Sequence, residues 1–253
     1  MSATILNAWE FCHSLGLAPD EGEFVQVTES FPVENRPIVL ASLDMSYSAR
    51  AATWPKMVTI IENLMRHHDT HKGLILTSSN VMLQYIMKHM ARTLRDRLIP
   101  AFGDDRLEKY TQHLKAKGPT VLIASGYWEG ADLIDDASRF QIIPSAPRAM
   151  FTGQVKARTQ MEPRWYRMQT WTKMIQGMCR SVRSEKDEAI TYVLDADFGR
   201  ELAKSDSMIP GWIRAAVREK VGEMTITVVV VLLVQVGITL SRRYNCDVSK
   251  QCV

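Results

Sequence analysis

Four short, continuous apolar runs are the feature that most restricts what this chain can fold into. They cover residues 73–77, 119–124, 140–143 and 189–194. Each run is too short for a typical helix and is bounded by turn residues, so each predicts a strand that is buried on both faces. Strands of this kind are typical of parallel sheets that are covered by helices.

The segments between these runs show apolar residues at helical spacing. Helices are predicted at about Ala8–Leu15, stopped by Gly16, at Trp54–His67 and at Pro163–Val182, and two further strands are predicted at Phe24–Val27 and Ile38–Leu43. This alternation predicts an α/β domain with a mostly parallel sheet and helices on both faces. In such a sheet we expect the chemistry in loops at the carboxyl ends of the strands.

Composition sets broad limits on the class of protein. The 253 residues are 46% apolar, enough for a substantial core, and the net charge of +3 permits contact with a phosphate backbone without demanding it. No two cysteines form a CxxC pair, and no charged leader opens the chain, so we expect a reducing, cytoplasmic setting. The histidines of His67-His68-x-x-His71 have only Asp69 as a neighbouring ligand, and we predict no metal site.

The apolar stretch Met224–Leu240 differs from the rest of the chain. Its 17 residues are at the short limit for a membrane span, and Arg242 and Arg243 follow it. Three interpretations stay open: a membrane anchor, a buried β segment and a tail unrelated to the domain. Gln235 and Gly237 argue against the anchor, and we expect no membrane partner.

The sharpest candidate site is the segment Gln176–Arg183. On a helix, Gln176, Arg180 and Arg183 would project within about 60° of one another. An amide and two guanidinium groups that converge in this way suit an anion such as phosphate. The alternative is a solvated helix face with incidental arginines.

A second candidate is the loop that follows the predicted strand at 119–124. Gly126 and Gly130 allow a ligand to approach the backbone closely, while Glu129 and Asp132 can accept bonds from ribose, metal-bound water or an arginine. The alternative is an ordinary turn with solvated acids.

A third candidate is Thr77-Ser78-Ser79, at a strand-to-helix junction. Backbone amides at the start of a helix, assisted by hydroxyl groups, form a seat for phosphate. The alternative is a plain helix cap.

Taken in order, these segments resemble motifs of the DinG/XPD helicase family. They are Met1–Ile5, similar to motif III, Lys72–Ser79, similar to motif IV, Gly126–Asp132, similar to motif V, and Gln176–Arg183, similar to motif VI. The resemblance covers about residues 1–218 and implies the second RecA-like domain of a superfamily 2 helicase. Two departures are Cys179, where the family has glycine, and Arg148, where it usually has an aromatic residue.

The resemblance also implies a role for each site residue. Arg180 and Arg183 would act as arginine fingers toward the γ-phosphate of ATP, and Gln176 would align ATP or the attacking water. The implied ATP-binding residues are Glu129, Gly130 and Asp132. The implied contacts to single-stranded DNA come from Thr77, Ser78, Ser79 and Ser125.

Several motifs of a complete helicase motor do not occur in this sequence. No Gly-Lys dipeptide, and hence no phosphate-binding P-loop, occurs in it, and it carries neither a DEAH strand nor iron–sulfur cysteines. We therefore expect ATP and Mg²⁺ to bind only together with the first RecA-like lobe, no iron–sulfur cluster, and no ATP hydrolysis by the chain alone.

This interpretation divides the chain into three parts. They are residues 1–6, a remnant of the first lobe, residues 7–221, the C-terminal RecA-like domain, and residues 222–253, the apolar tail. The alternative functions are a non-catalytic remnant that binds single-stranded nucleic acid and a membrane-tethered form of the helicase domain.

Overall fold

A computed structural model describes residues 5–18, 20–23, 25, 31–126, 132–204 and 208–218. Several predictions lie outside these residues. They are most of the motif III-like start and of the strand at 24–27, the residues Glu129 and Gly130, and the apolar stretch 224–240. Within the described ranges, no helix is long and apolar enough to cross a membrane.

The described residues form one six-stranded sheet in which every strand pair is parallel. Its strands are β1 (Ile38–Leu43), β2 (Gly73–Thr77), β3 (Leu98–Ala101), β4 (Val121–Ser125), β5 (Phe140–Ile143) and β6 (Ile190–Asp195). They lie side by side in the order β1-β6-β5-β2-β4-β3. The predicted parallel sheet is confirmed, and all carboxyl ends of the strands meet at one edge.

Helices pack on both faces of this sheet. They are α1 (Ala8–Ser14), α2 (Arg50–His67), α3 (Asn80–His89), α4 (Arg92–Arg95), α5 (Arg106–Lys115), α6 (Gly153–Met161), α7 (Pro163–Met178), α8 (Ala196–Leu202) and α9 (Gly211–Arg218). Residues of α2, α3 and α4 share one core cluster with the sheet, and residues of α7, α8 and α9 share the other. The predicted three-layer arrangement is therefore confirmed.

The central strand β2 shows why the apolar runs are continuous. All of its residues are buried, with Leu74 and Leu76 in one core cluster and Ile75 in the other. The strand starts at Gly73, where an added Cβ would lie 2.4 Å from the ring of Phe140 on the neighbouring strand β5. Only glycine fits there without displacing that ring.

Six elements of the structure are absent from the sequence predictions, and two helix boundaries differ. The missed elements are β3, α4, α5, α6, α8 and α9, while α2 starts four residues before the predicted Trp54. Helix α7 ends at Met178 instead of Val182. Its predicted apolar stripe is nevertheless buried, from Met168 to Met178, and Val182 is buried beyond its end.

Candidate functional site

Arg180 and Arg183 converge on one carboxylate, although not through the predicted helix face. Both lie beyond the end of α7, in the loop that leads to β6. Arg180 Nη1 lies 3.3 Å from Asp132 Oδ1, and Arg183 Nη2 bonds the same oxygen. The Arg180 side chain is 9% exposed, that of Arg183 30% and that of Asp132 58%. The loop therefore joins the motif V-like and motif VI-like segments in one cluster, which we call the arginine site.

The arginine site lies at the amino ends of β5 and β6. Ser181 Oγ lies 2.8 Å from the hydroxyl of Ser138, two residues before β5 begins. The backbone amide of Leu133 donates to the carbonyl of Arg180 at 3.2 Å, which holds the two segments together. The expectation that this chemistry sits at the carboxyl ends of strands is wrong for the arginines, because α7 runs back across the sheet before the loop begins.

A network of buried polar side chains holds the loop that bears Arg180 and Arg183. Gln141 Nε2 on β5 donates to the carbonyl of Met178 and to Thr191 Oγ1, both at 2.6 Å. Its Oε1 accepts from Ser181 Oγ at 3.1 Å. These groups are buried and mutually bonded, which favours a single arrangement of the loop. Gln141 is not among the residues that the sequence predicts for the site, although a glutamine within an apolar strand was the available signal.

Asp187 fixes the far side of the same loop. Its side chain is fully buried and accepts hydrogen bonds from the amides of Arg183 and Glu188, at 3.1 and 3.0 Å. Arg139 Nη1 lies 3.4 Å from Asp187 Oδ1. Asp187 lies four residues beyond the segment similar to motif VI, and the sequence alone assigned it no role.

Two polar atoms of the predicted trio have no partner among the described residues. They are Gln176 Oε1 and Arg183 Nε, and both are buried. Buried polar groups are almost always hydrogen-bonded, to protein or to water. The Arg183 Nε–H is a donor that a phosphate oxygen or a water can accept from, whereas Gln176 Oε1 is an acceptor and requires a donor such as a water. Cys179 caps α7 with φ −86°, a conformation open to any residue, so the missing glycine imposes no backbone strain.

The hydroxyl residues lie at the opposite edge of the sheet, where β2 and β4 end. Thr77 pairs with Ser125 in the parallel register, and Ser78 and Ser79 follow directly. Ser79 Oγ caps α3 by accepting from the amide of Met82 at 3.2 Å, as the cap interpretation predicts. We call Ser78, Ser79 and Ser125 the serine edge.

Thr77 differs from the other hydroxyl residues. Its side chain is fully buried, and its Oγ1 donates to the carbonyl of Ala124 at 3.1 Å. Thr77 therefore joins β2 to β4, and its side chain is not accessible to a phosphate. We leave it out of the serine edge.

Arg148 stands where the helicase family that the sequence resembles usually has an aromatic residue, and it forms ion pairs with two aspartates. Its guanidinium group lies 3.2 Å from Asp195 Oδ2 and also bonds Asp197. Asp195 is buried at the end of β6 and accepts from the amide of Ala146 at 3.0 Å. The substitution thus connects the segment after β5 to the start of α8.

Two histidines, the half-buried His68 and the buried His113, support the amino-end side of the sheet. His68 stacks on Phe140 with 4.4 Å between ring centroids and lies 2.9 Å from the hydroxyl of Tyr192, and burial lowers its pKa to about 3. His113 lies 2.8 Å from the carbonyl of Ala137, and burial lowers its pKa to about 4. In the part of the chain that the structure describes, no group of three or more His, Cys, Asp or Glu residues is placed to hold a metal ion.

The comparisons with known proteins agree with this geometry. The profile of the helicase C-terminal domain family matches residues 61–216. No curated protein matches the chain. Its fold is similar to an apo XPD structure, with a TM-score of 0.54, 15% identity, and coverage of 65% of this chain and 36% of that one. It is also similar to S. tokodaii Xpd4, with a TM-score of 0.51, 14% identity, and coverage of 72% and 39%.

Two conclusions follow from these matches. The chain spans less than two-fifths of the length of either XPD structure, and identities this low show the fold alone. The family match covers more than half of the chain and includes the serine edge and the arginine site. The protein therefore belongs to the helicase C-terminal domain family, and its fold is similar to that of the XPD structures.

Proposed function

We propose that the chain is the C-terminal motor domain of an ATP-dependent DNA helicase. In this proposal it binds single-stranded DNA and supplies arginines to an ATP site that it shares with a first RecA-like lobe. The observation that carries the proposal is the convergence of Arg180 and Arg183 on Asp132, next to a buried network that fixes their loop.

The arginine site has the charge that a triphosphate requires. Two guanidinium groups share one carboxylate, so the cluster keeps a net positive charge. A γ-phosphate carries more negative charge than Asp132 and can compete for the same donors, and the guanidinium groups would then neutralise charge that develops during phosphoryl transfer. Arg183 is the better candidate for the finger, because it is the more exposed of the two and its Nε has no partner among the described residues.

The arginine site does not fit a magnesium ion by itself. Magnesium takes oxygen ligands, chiefly carboxylates and phosphates. Asp132 is the carboxylate at the centre of this site, and it already accepts bonds from two arginines. We therefore assign the protein ligands of the magnesium that accompanies ATP to the partner lobe.

The serine edge has the groups that hold a nucleic-acid backbone. Ser78 and Ser79 lead directly into α3, and Ser125 ends the neighbouring strand β4. The first backbone amides of a helix have no acceptor within the helix. Such groups bind phosphate without selecting a base sequence. We propose that they hold one strand of DNA while the opposite edge of the sheet meets ATP.

The direct test is reconstitution with a first RecA-like lobe taken from an intact relative. We expect the wild-type chain to restore DNA-stimulated ATP hydrolysis and Arg183→Ala to abolish it. Arg164→Ala removes an equally charged, exposed side chain outside the site and should behave as wild type. No restoration by the wild-type chain, under conditions in which the intact relative hydrolyses ATP, would contradict the proposal.

A non-catalytic nucleic-acid clamp is the second candidate. It is favoured by the bonds that Arg180 and Arg183 make to Asp132, because these bonds occupy guanidinium donors that a phosphate would otherwise take. Fluorescence anisotropy with labelled single-stranded DNA, with and without ATP and the partner lobe, separates the two functions. Binding that is steep in salt and indifferent to nucleotide supports the clamp.

A further inference from the structure

A strip of aromatic rings and one guanidinium group runs along the surface of α2 and α3. Arg50 Cζ lies 4.2 Å from the ring centroid of Tyr47 and 6.0 Å from that of Trp54. Trp54 meets Tyr85 edge-on at 4.9 Å, and Tyr85 stacks on His89 at 4.1 Å. We call these five residues the aromatic strip.

Only part of the aromatic strip packs against the hydrophobic core. Trp54 and Tyr85 are half-buried and pack against the core cluster beneath α2 and α3. Arg50 and His89 are exposed, and Tyr47 is 79% exposed. Burial of apolar surface therefore explains the inner members of the strip but not Tyr47, whose ring faces solvent beside a cation.

The region around the strip is basic. Residues 45–97 contain eight Lys and Arg residues and three Asp and Glu residues. The exposed cations on α2, α3 and α4 are Arg50, Lys56, Arg66, Lys88 and Arg92.

The aromatic strip continues from the serine edge. Helix α3 has Ser79 as its cap and bears Tyr85 and His89 further along its length. Tyr47 follows β1 and Ser78 follows β2, so both lie at the edge where the parallel strands end. A strand of nucleic acid bound by the serines can therefore extend over α3 toward the strip.

We propose that the aromatic strip is a base-stacking surface for single-stranded nucleic acid. This rests on the proposed function, because the strand is taken to enter at the serine edge. Aromatic and guanidinium faces stack on any base, and nearby cations neutralise the phosphates between stacked bases. The strip adds base contacts to a site whose serines reach only the backbone.

The test uses the intact chain and a fluorescein-labelled oligothymidylate in anisotropy titrations. We expect Tyr47→Ala and Arg50→Ala each to weaken binding by about tenfold, whereas Tyr47→Phe, which keeps the ring, binds as wild type. Phe151→Ala removes an exposed ring outside the strip and should change nothing. An abasic oligomer of equal length should bind wild type and Tyr47→Ala equally, because it offers phosphates without bases.

The outcomes separate this inference from the proposed function. If Ser78→Ala and Ser79→Ala weaken binding but Tyr47→Ala does not, the stacking surface is refuted and the serine edge stands. If the wild-type chain binds no oligonucleotide, the nucleic-acid role fails and the stacking surface fails with it. If a polyglutamate peptide binds instead, with an affinity that depends on Tyr47, the strip is a site for acidic proteins and the proposal is overturned.

Discussion

The arginine site and the serine edge lie at opposite ends of the same sheet and are built in different ways. The arginine site unites residues around Asp132, Gln141 and Arg183 through side-chain bonds that are buried at Gln141 and partly exposed at Asp132. The serine edge is a strand, a turn and a helix start, in which Ser79 caps the helix that follows it. The first depends on the whole fold, and the second depends mainly on local backbone geometry. Substitutions should therefore affect the two ends unequally.

The largest difference should appear in catalysis. We expect Arg183→Ala to lower the rate of ATP hydrolysis by the reconstituted motor by about a thousandfold or more, the effect of losing an arginine finger. Binding of single-stranded DNA by the chain alone should stay within about twofold, because Arg183 lies at the other end of the sheet from the serines. Steady-state hydrolysis and anisotropy measure the two quantities. Equal losses of ATP hydrolysis and of DNA binding would show that the arginine site and the serine edge do not act independently.

The next largest effect should be on stability. Asp187→Ala leaves the amide of Arg183 and the guanidinium group of Arg139 without a buried acceptor, so we expect the free energy of unfolding to fall by about 2–3 kcal/mol. Urea denaturation measures it. Asp136→Ala is the matched control, because it removes an exposed partner of the same arginine and should cost under about 1 kcal/mol. An equal loss in both variants would contradict the assignment of Asp187 as the support of the loop.

We expect low pH to lower the free energy of unfolding through a buried histidine at the amino ends of the strands. His113 has a folded-state pKa of about 4 and an ordinary value of 6.5, so the unfolded chain binds the proton more tightly. Stability is therefore fully present above pH 6.5 and is lost as the pH falls toward 4, by about 2 kcal/mol at pH 5 for this histidine. Thermal unfolding at pH 7 and pH 5 checks this.

Replacement of the histidine supplies the control for that measurement. His113→Gln should be less stable at pH 7 but lose less between pH 7 and pH 5 than wild type does, because it has no proton to take up. An unchanged pH dependence would exclude His113 as its source. His68, with a pKa of about 3, lies on the same side and should contribute in the same direction.

The smallest effect should come from the serine edge. Ser79→Ala removes the cap of α3 and should lower the free energy of unfolding by about 1 kcal/mol. Ser79→Asp keeps a capping oxygen but places a negative charge where a phosphate would bind, so DNA binding should fall while stability is retained. Equal DNA binding by Ser79→Asp and wild type would remove Ser79 from the contact set.

The sequence predicts the local parts of this fold well. The boundaries of β1, β2 and β5 agree with the predicted residues, because buried parallel strands are short apolar runs with clear ends. The cap at Ser79 was also predictable, since a serine before an amphipathic segment has a definite geometric role. These features depend on neighbouring residues in the chain.

What the sequence did not predict depends on distant residues or on weak patterns. Strand β3 has only four residues and contains Pro100, so its pattern is faint, and α5 has few buried side chains, one of them His113. The arginine pairing was predicted on a helix face, yet it arises in a loop that Gln141 and Asp187 hold from other parts of the chain. Spacing along one segment contains no information about these partners.

Pro100 also limits how other proteins can bind at the β3 edge of the sheet. It lies in β3, the outermost strand next to β4, and a proline there has no amide hydrogen to offer to an additional strand. A continuous ladder of backbone bonds cannot extend the sheet past this position, which protects the edge from aggregation. The second motor lobe of our proposal would therefore meet this edge through side chains on the loops and helices, an attachment that can open and close without breaking a sheet.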